Sequence, residues 1–401
     1  MRILSITAQK PSATGSGVYL TEVVRSLNKL GAEQAIVYGK MPKDVLPETL
    51  ACVKKSYSVD FQTTDLPFNI AGMSDVMPYP ATRYRDFTET MLAQFKRAFE
   101  MTISWAIQDF KPDLIITHHL YIVSAIASRL AHANNIKCVA LSHGTDIRQM
   151  QWHNLDKGNI IDGIRAATTV LCLHSDQIAK INEVYGIDKS NIHVIGAGYN
   201  SEIFNCNTKA EPLRKENTLC FCGKICEAKG VKSLLKACAQ IDNPPKITLI
   251  GGHNNEAELL EIKKLADASF LDVDFTGQIP QAEVADIYRK TKVFCLPSFF
   301  EGLPLVILEA AACGCNCVVS ALPGIPEWIK ENTTSAPYEF VKLPTMFDVD
   351  KPLPSGLPDY ETRLSNAIQI ALNATSNPKA VAHLTWDDLA KRLLGFVDCT
   401  L

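Results

Sequence analysis

Two carboxylates, Glu301 and Glu309, stand eight positions apart in the segment PSFFEGLPLVILEAAACGCNCVV, which begins at Pro297 directly after a short apolar run. Gly302 suits a strand-to-helix turn, Pro304 suits a first helical position, and Gly314 suits the residue just past a helix end. This punctuation leaves Glu301 on the loop and puts Glu309 five residues beyond Pro304, about 7.5 Å further along the axis at 1.5 Å per residue. Carboxylates so spaced would contact different parts of one extended ligand, and the spacing alone does not make them a glycosidase-style pair. The turn Gly302-Leu303-Pro304 and the free amide of Leu305 form a helix start that can bind phosphate oxygens, while both carboxylates can accept hydroxyl protons from sugar or ribose. A nucleotide sugar carries all of these groups. An isolated E-x7-E on a solvated helix would look the same.

Three further groups carry chemistry. In FCGKICEAKG, Gly223 permits a turn, and Lys224 and Lys229 precede a helix. Two ammonium groups there would meet a diphosphate and stabilise its departure, and one preorganised donor of this kind is worth roughly 2.7–4 kcal/mol in a transition state. Solvated lysines at a helix entrance fit equally well. Gly15-Ser16-Gly17 lies in the first predicted strand-to-helix loop, where missing side chains allow close approach, although neither a full G-x-G-x-x-G nor a P-loop is present. In Ser142-His143-Gly144-Thr145-Asp146, His143 follows a predicted strand at the edge where open α/β sheets bind ligands. His118, His119 and His174 occupy similar strand ends, so position alone does not choose among them.

The elements that must position these groups follow a βαβ rhythm. It runs through Arg2 to Thr7, Val18 to Leu30, Ala35 to Tyr38, Asp113 to Thr117, Val123 to Ala133, Ile136 to Ser142, Thr169 to Leu173 and Asn191 to Ile195. A polar stretch from Asn200 to Asn217 interrupts it, and a second series then runs from the strand Thr218 to Cys222 through strands at Lys246 to Ile250, Asp272 to Phe275, Val293 to Leu296 and Asn316 to Val319. The expected fold is α/β, with two Rossmann-like, doubly wound parallel-sheet domains facing a central cleft. The expected boundaries are 1–198, 199–384, and a helical 385–401 packing back on the first domain. The insert Asp65 to Arg85 reads as a long, side-chain-rich loop and a candidate acceptor-side element, and Pro337 to Pro358 is proline-rich and aperiodic.

The 401 residues exceed what one core usually serves, and 47% apolar and 21% charged residues describe an ordinary globular chain. A net charge of −3 gives no support to nucleic-acid binding through a surface-wide field. The amino terminus reads as a strand and not a signal peptide, and no stretch reaches the roughly 20 apolar residues of a membrane span. Cytoplasmic localisation is expected, with at most a weak peripheral contact at the inner face of a membrane. Arg83, Arg85, Lys96 and Arg97 form only a modest basic patch, and the stripe Phe87, Leu92, Phe95, Phe99 and Ile103 suits a core-facing helix. The thirteen cysteines favour core packing over metal, because neither Cys220-Cys222-Cys226 nor Cys313-Cys315-Cys317 has paired C-x2-C spacing.

Over nearly the full length the sequence resembles the retaining GT-B enzymes of glycosyltransferase family four. The resemblance rests on GSGVYLTEVVRSL, SHGTD, GKICEAKGVKSLL, FTGQIP and FFEGLPLVILEAAACG in family order. It implies that Glu309 binds the ribose hydroxyls, Glu301 the donor-sugar hydroxyls, and Lys224 with Lys229 the diphosphate. It further implies that His143 contacts the sugar, that Gly17, and after it Gly15, lets the acceptor-domain loop approach the donor, that Leu305 offers its amide to phosphate, and that Ile279 borders the nucleobase. Departures are Lys224 where the family commonly has arginine, Thr14 where it has the first of two glycines, and the unmatched segment ENTTSAPYEFVKLPTMFDVD. The implied reaction retains configuration and needs neither cofactor nor metal. Its partners are a nucleotide-sugar donor, uridine preferred, and a carbohydrate, glycolipid or small-molecule acceptor. A nucleotide-sugar epimerase or hydrolase, or a non-catalytic sugar-nucleotide-binding module, would share the motifs.

Overall fold

The computed structural model describes residues 1–11, 13–74, 77–206, 216–334 and 338–397. The chain divides into two compact units, Met1–Gly198 with Trp386–Leu401, and Tyr199–Thr385.

In the N-terminal unit the elements run β1 (Arg2–Ile6), α1 (Gly15–Lys29), β2 (Glu33–Lys40), β3 (Val53–Asp60), β4 (Ala71–Gly72), β5 (Thr82–Arg83), α2 (Glu89–Phe110), β6 (Leu114–His118), α3 (Ile122–Ala133), β7 (Lys137–Leu141), α4 (Thr145–Trp152), α5 (Lys157–Arg165), β8 (Thr169–Cys172), α6 (Asp176–Tyr185) and β9 (Ile192–Val194). Among the described residues a seven-stranded sheet forms in the order β3-β2-β1-β6-β7-β8-β9, parallel throughout. Strands covered on both faces by helices read as continuous apolar runs, and all five residues of β6 are buried. The strand order reverses between β1 and β6, which is where an open α/β sheet leaves a crevice at its carboxyl edge. Thr7 onward and His119 onward leave the sheet at that point.

The C-terminal unit repeats the plan with β10 (Thr218–Cys222), α7 (Val231–Cys238), β11 (Lys246–Ile250), α8 (Glu256–Ala268), β12 (Val273–Gly277), α9 (Gln281–Lys290), β13 (Val293–Leu296), α10 (Leu305–Ala312), β14 (Asn316–Ser320), α11 (Ile325–Asn332), β15 (Tyr338–Val341), a hairpin of β16 (Met346–Asp348) and β17 (Lys351–Pro352), and α12 (Leu357–Asn373). Its sheet order is β12-β11-β10-β13-β14-β15, again parallel, with the reversal between β10 and β13. Helix α13 (Trp386–Gly395) belongs to the N-terminal unit, where Asp387 accepts the Ser26 hydroxyl at 2.6 Å and lies 3.7 Å from Lys29 Nζ.

Several sequence expectations shift. The insert Asp65 to Arg85 is more than a loop: Leu66, Ile70, Met73 and Tyr84 are buried in the same apolar cluster as Phe95, Phe99 and Ile103 of α2. Side chains of irregular spacing can fill a core when the backbone bonds locally, as the Thr82 amide does to the Ile70 carbonyl. Residues 75–76 of that insert, 207–215 of the interdomain stretch, 335–337 of the unmatched segment and 398–401 of the C-terminal segment lie outside the described residues. Within the proline-rich segment, Tyr338–Val341 is a strand paired with β14. Of the basic patch, Arg83 pairs with Asp86 and Lys96 with Asp156, each at 2.6 Å. No helix among the described residues is long and apolar enough to cross a membrane. Of the cysteine clusters, Cys220, Cys313, Cys315 and Cys317 are buried in the core, whereas Cys222 and Cys226 are half-buried.

Candidate functional site

At the strand-order reversal of the C-terminal unit, the loops after β10 and β13 carry Lys224, Lys229 and Glu301, and helix α10 carries Glu309. The loop after β10 is laced to its neighbours by backbone bonds. Gly223 donates to the Ile250 carbonyl at 2.9 Å, Ile225 to Gly252 at 2.9 Å, and Phe299, after β13, to Ala228 at 3.1 Å. Residues Glu227–Lys229 form one 3-10 turn, and Gly230 at φ +71° switches the chain into α7. A Cβ at Gly230 would lie 2.0 Å from the Pro297 carbonyl oxygen, so the approach of the two loops requires glycine.

That approach sets Lys229 Nζ 2.6 Å from Glu301 Oε1, a pair of largely covered groups whose members are 72 positions apart in sequence. Lys224 lies on the same loop, half-buried, and among the described residues no carboxylate pairs with it. Burial lowers its pKa, and the charge of Lys229 lowers it further against the opposing influence of Cys226 and Glu258. A partly desolvated ammonium beside a second cation is stabilised by an anion.

Helix α10 is nearly all apolar, LVILEAAA, and is buried accordingly. Glu309 is its one charged residue and is only 7% exposed. A carboxylate so covered is costly unless polar groups engage it. The helix begins at Leu305 with no side-chain cap, and Pro304 at ψ 116° is the cap residue. The expected first-helical placement of Pro304 is therefore corrected by one residue. The reason is local: Pro304 keeps an extended ψ, and the helical geometry starts only with Leu305. Gly314, at φ +82°, does follow the helix end. Leu303 and Pro304 are buried, Gly302 is half-buried, and Ile279 is half-buried between β12 and α9.

In the N-terminal unit, Gly15 and Gly17 are in the first turn of α1 and not in the preceding loop, a second correction. Thr14 explains it: its side-chain oxygen accepts the Gly17 amide at 3.1 Å, an N-cap that starts the helix early. The residue that departs from the family pattern thus takes up one of the free amides. Gly17 is buried, whereas a Cβ on Gly15 would meet only open space.

His143 follows β7 and is 8% exposed. Gly144 at φ +86° turns the chain into α4, and the buried Asp146 carboxylate accepts the His143 amide at 3.2 Å, the Ser142 hydroxyl at 3.1 Å and the Leu120 amide at 2.6 Å. The His143 ring packs against Tyr19, whose edge is 5.2 Å away by centroid, and against His119 at 4.7 Å. Its Nε2 lies 3.0 Å from His118 Nδ1. Burial depresses all three imidazoles, His118 to about 3, so they are neutral at physiological pH. Position in the sequence did not select His118. The missing signal is topological, since β6 and β7 are adjacent parallel strands whose ends lie side by side.

Two family models match the chain. Residues 13–203 match Glycosyltransferase Family 4, and residues 206–339 match Glycosyl transferases group 1. A putative teichuronic acid biosynthesis glycosyltransferase of Bacillus subtilis is 24% identical, covering 96% of this chain and 97% of that protein. Among solved structures, sucrose-phosphate synthase from Thermosynechococcus elongatus superposes with a TM-score of 0.65 at 18% identity, covering 99% and 98% of the two chains. The Anabaena protein HepE, in complex with UDP and glucose, gives 0.65 at 14% identity, covering 99% of each. At these identities the structures speak for the fold, two Rossmann-like parallel-sheet domains of the GT-B type.

Proposed function

This chain belongs to the GT-B glycosyltransferases of family four, and from that premise we propose that it transfers a sugar from a nucleotide-diphosphate sugar to an acceptor hydroxyl. The preferred donor is a UDP-sugar, the acceptor a glycan, glycolipid or small molecule, and the anomeric configuration is retained. The observation that carries this reading is the half-buried Lys224, which has no carboxylate pair among the described residues, beside the Lys229–Glu301 pair at the strand-order reversal of the C-terminal unit. The diphosphate joins Lys224 and Lys229, the amides at the start of α10 donate to further phosphate oxygens, Glu301 turns to the sugar hydroxyls, and Glu309 holds the ribose. Ile279 borders the base, His143 meets the sugar, and Gly15 and Gly17 line the approach from the acceptor side. Lysines and helix amides here do what a divalent cation does in other transferases. The C1–O bond to the diphosphate breaks, the acceptor oxygen bonds C1 on the same face, and the acceptor proton passes to the departing diphosphate. The UDP and glucose named for the Anabaena neighbour are consistent with a uridine donor.

Calorimetry with UDP and GDP, with and without magnesium, on the native protein and Glu309→Ala tests the reading. One diphosphate is expected to bind without metal and to weaken in the variant, and binding of neither would sink the donor assignment. Acceptor-dependent nucleotide release in excess chelator tests the transfer. Release or isomerisation of the sugar nucleotide without acceptor would instead identify a hydrolase or epimerase.

A further inference from the structure

His118 ends β6 at the strand-order reversal of the N-terminal unit, and its partner in the sheet register is Leu141, two residues before His143. The two imidazoles are nearly parallel, 16° apart with centroids separated by 5.3 Å, and His118 Nδ1 faces His143 Nε2 at 3.0 Å. A contact between two neutral imidazoles holds one proton, and only two arrangements satisfy it. If His143 donates from Nε2, then His118 accepts at Nδ1 and must carry its own proton on Nε2. That Nε2 is closed to solvent and has no hydrogen-bond partner among the described residues. If His118 donates from Nδ1, the same buried atom is left with a lone pair only. A buried N–H without an acceptor is rarer than an under-used acceptor, and leaving a buried donor unsatisfied carries its full desolvation penalty.

We infer that His118 is a positioning residue whose Nδ1–H donates to His143 Nε2 and thereby fixes His143 in the tautomer that carries its proton on Nδ1. The surroundings hold the geometry. Tyr19 stands edge-on to His143, with its hydroxyl bonded to the Gly196 carbonyl at 3.0 Å, and Asp146 anchors the His143 backbone. His119 continues the packing from a left-handed backbone at φ +69°. Burial keeps both members of the pair neutral, so the proton between them is not duplicated.

For the reaction, resting on the transferase reading above, the consequence is directional. His143 presents an N–H from Nδ1, while Nε2 is already occupied. It meets the donor sugar as a hydrogen-bond donor to a sugar oxygen and does not take the acceptor proton at Nε2.

The test is nitrogen-resolved NMR of the full chain with labelled histidine, without nucleotide sugar, followed by kinetics. His143 is expected to show a protonated Nδ1 and an unprotonated Nε2. His118→Asn keeps an amide N–H near the place of Nδ1 and should preserve both the tautomer and most of the turnover. His118→Phe removes the donor, moves the His143 proton to Nε2, and lowers kcat about tenfold, the equivalent of one ordinary hydrogen bond, with KM for the donor little changed. A protonated His143 Nε2 in the native protein, or an unchanged tautomer in His118→Phe, overturns the inference. If the Phe variant fails to fold, the native spectrum and the Asn variant decide. The expected tautomer in a protein without transfer activity would fault the functional reading and leave the histidine assignment standing.

Discussion

The loops at the carboxyl edge of the two sheets arise from the same strand order and treat charge in opposite ways. In the C-terminal unit the reversal between β10 and β13 gathers Lys224, Lys229 and Glu301, charge-bearing side chains that are half-buried. In the N-terminal unit the reversal between β1 and β6 leads to His118, His119 and His143, titratable groups pressed into the interior until they are neutral. One fold plan can thus build a cluster of charged side chains or one of buried, neutral dipoles. Burial, more than the identity of the strands, decides which.

The sharpest way to break this comparison is to remove charge from the first site. Lys229→Ala should lower turnover by about a hundredfold to a thousandfold, the range for one preorganised donor to developing charge. That loss should exceed the roughly tenfold cost of His118→Phe, which removes a neutral hydrogen bond. Steady-state rates that reverse this order would mean that the neutral cluster, and not the lysines, dominates the transition state. Glu309→Ala comes next: the lost hydrogen bonds to a charged acceptor, about 1.5–3 kcal/mol, should weaken nucleotide binding by roughly ten- to a hundredfold in calorimetry. An unaltered affinity would remove Glu309 from the ribose site.

A smaller effect probes how the charged loops are held together. Gly230→Ala forces a left-handed alanine against the Pro297 carbonyl and should cost about 1–3 kcal/mol of stability in denaturant unfolding. A midpoint indistinguishable from the native protein would show that the two loops separate freely. The pH dependence of stability probes the neutral cluster. Because the folded pKa values of its histidines lie below the unfolded value near 6.5, the unfolded chain binds more protons as pH falls beneath that value. Stability is therefore complete above pH 6.5 and declines toward about 3 for His118, by about 1.4 kcal/mol per pH unit for each proton the folded unit excludes. Urea titrations at pH 7 and 5.5 measure it: a flat profile in the native protein would contradict neutral burial, and the slope should shrink in His118→Asn.

The same contrast explains what could be read from the chain. The charged site was legible because its chemistry is written on a few short segments: glycine, two lysines five apart, and two glutamates eight apart flanking a helix start. The neutral site was only half legible. His143 stood out through the following Gly144 and Asp146, but its contact with His118 spans 25 positions and exists only once β6 and β7 lie side by side. The edge strand β3 escaped for a related reason. Val53–Asp60 buries only Tyr57 and Val59 and exposes Lys54 at the margin of the sheet, so its pattern is largely polar. The insert after it obeys no period because it fills a core with an irregular backbone, and no spacing rule describes that. Thr14 shows the reverse case, a departure from a family pattern whose local effect, an earlier helix start, is a simple capping rule.

The boundaries of the two units have a consequence for how such proteins diversify. The chain leaves the first unit after Gly198 and returns at Trp386, and its two crossing segments run together: the Tyr199 amide bonds to the Leu384 carbonyl at 3.1 Å, and Tyr199 and Thr385 form a parallel bridge. Topologically the C-terminal unit is a cassette whose entry and exit are adjacent. Recombination at these two neighbouring points could exchange one cassette for another within the same host unit, so the charged loops of one unit could be inherited separately from the histidine cluster of the other.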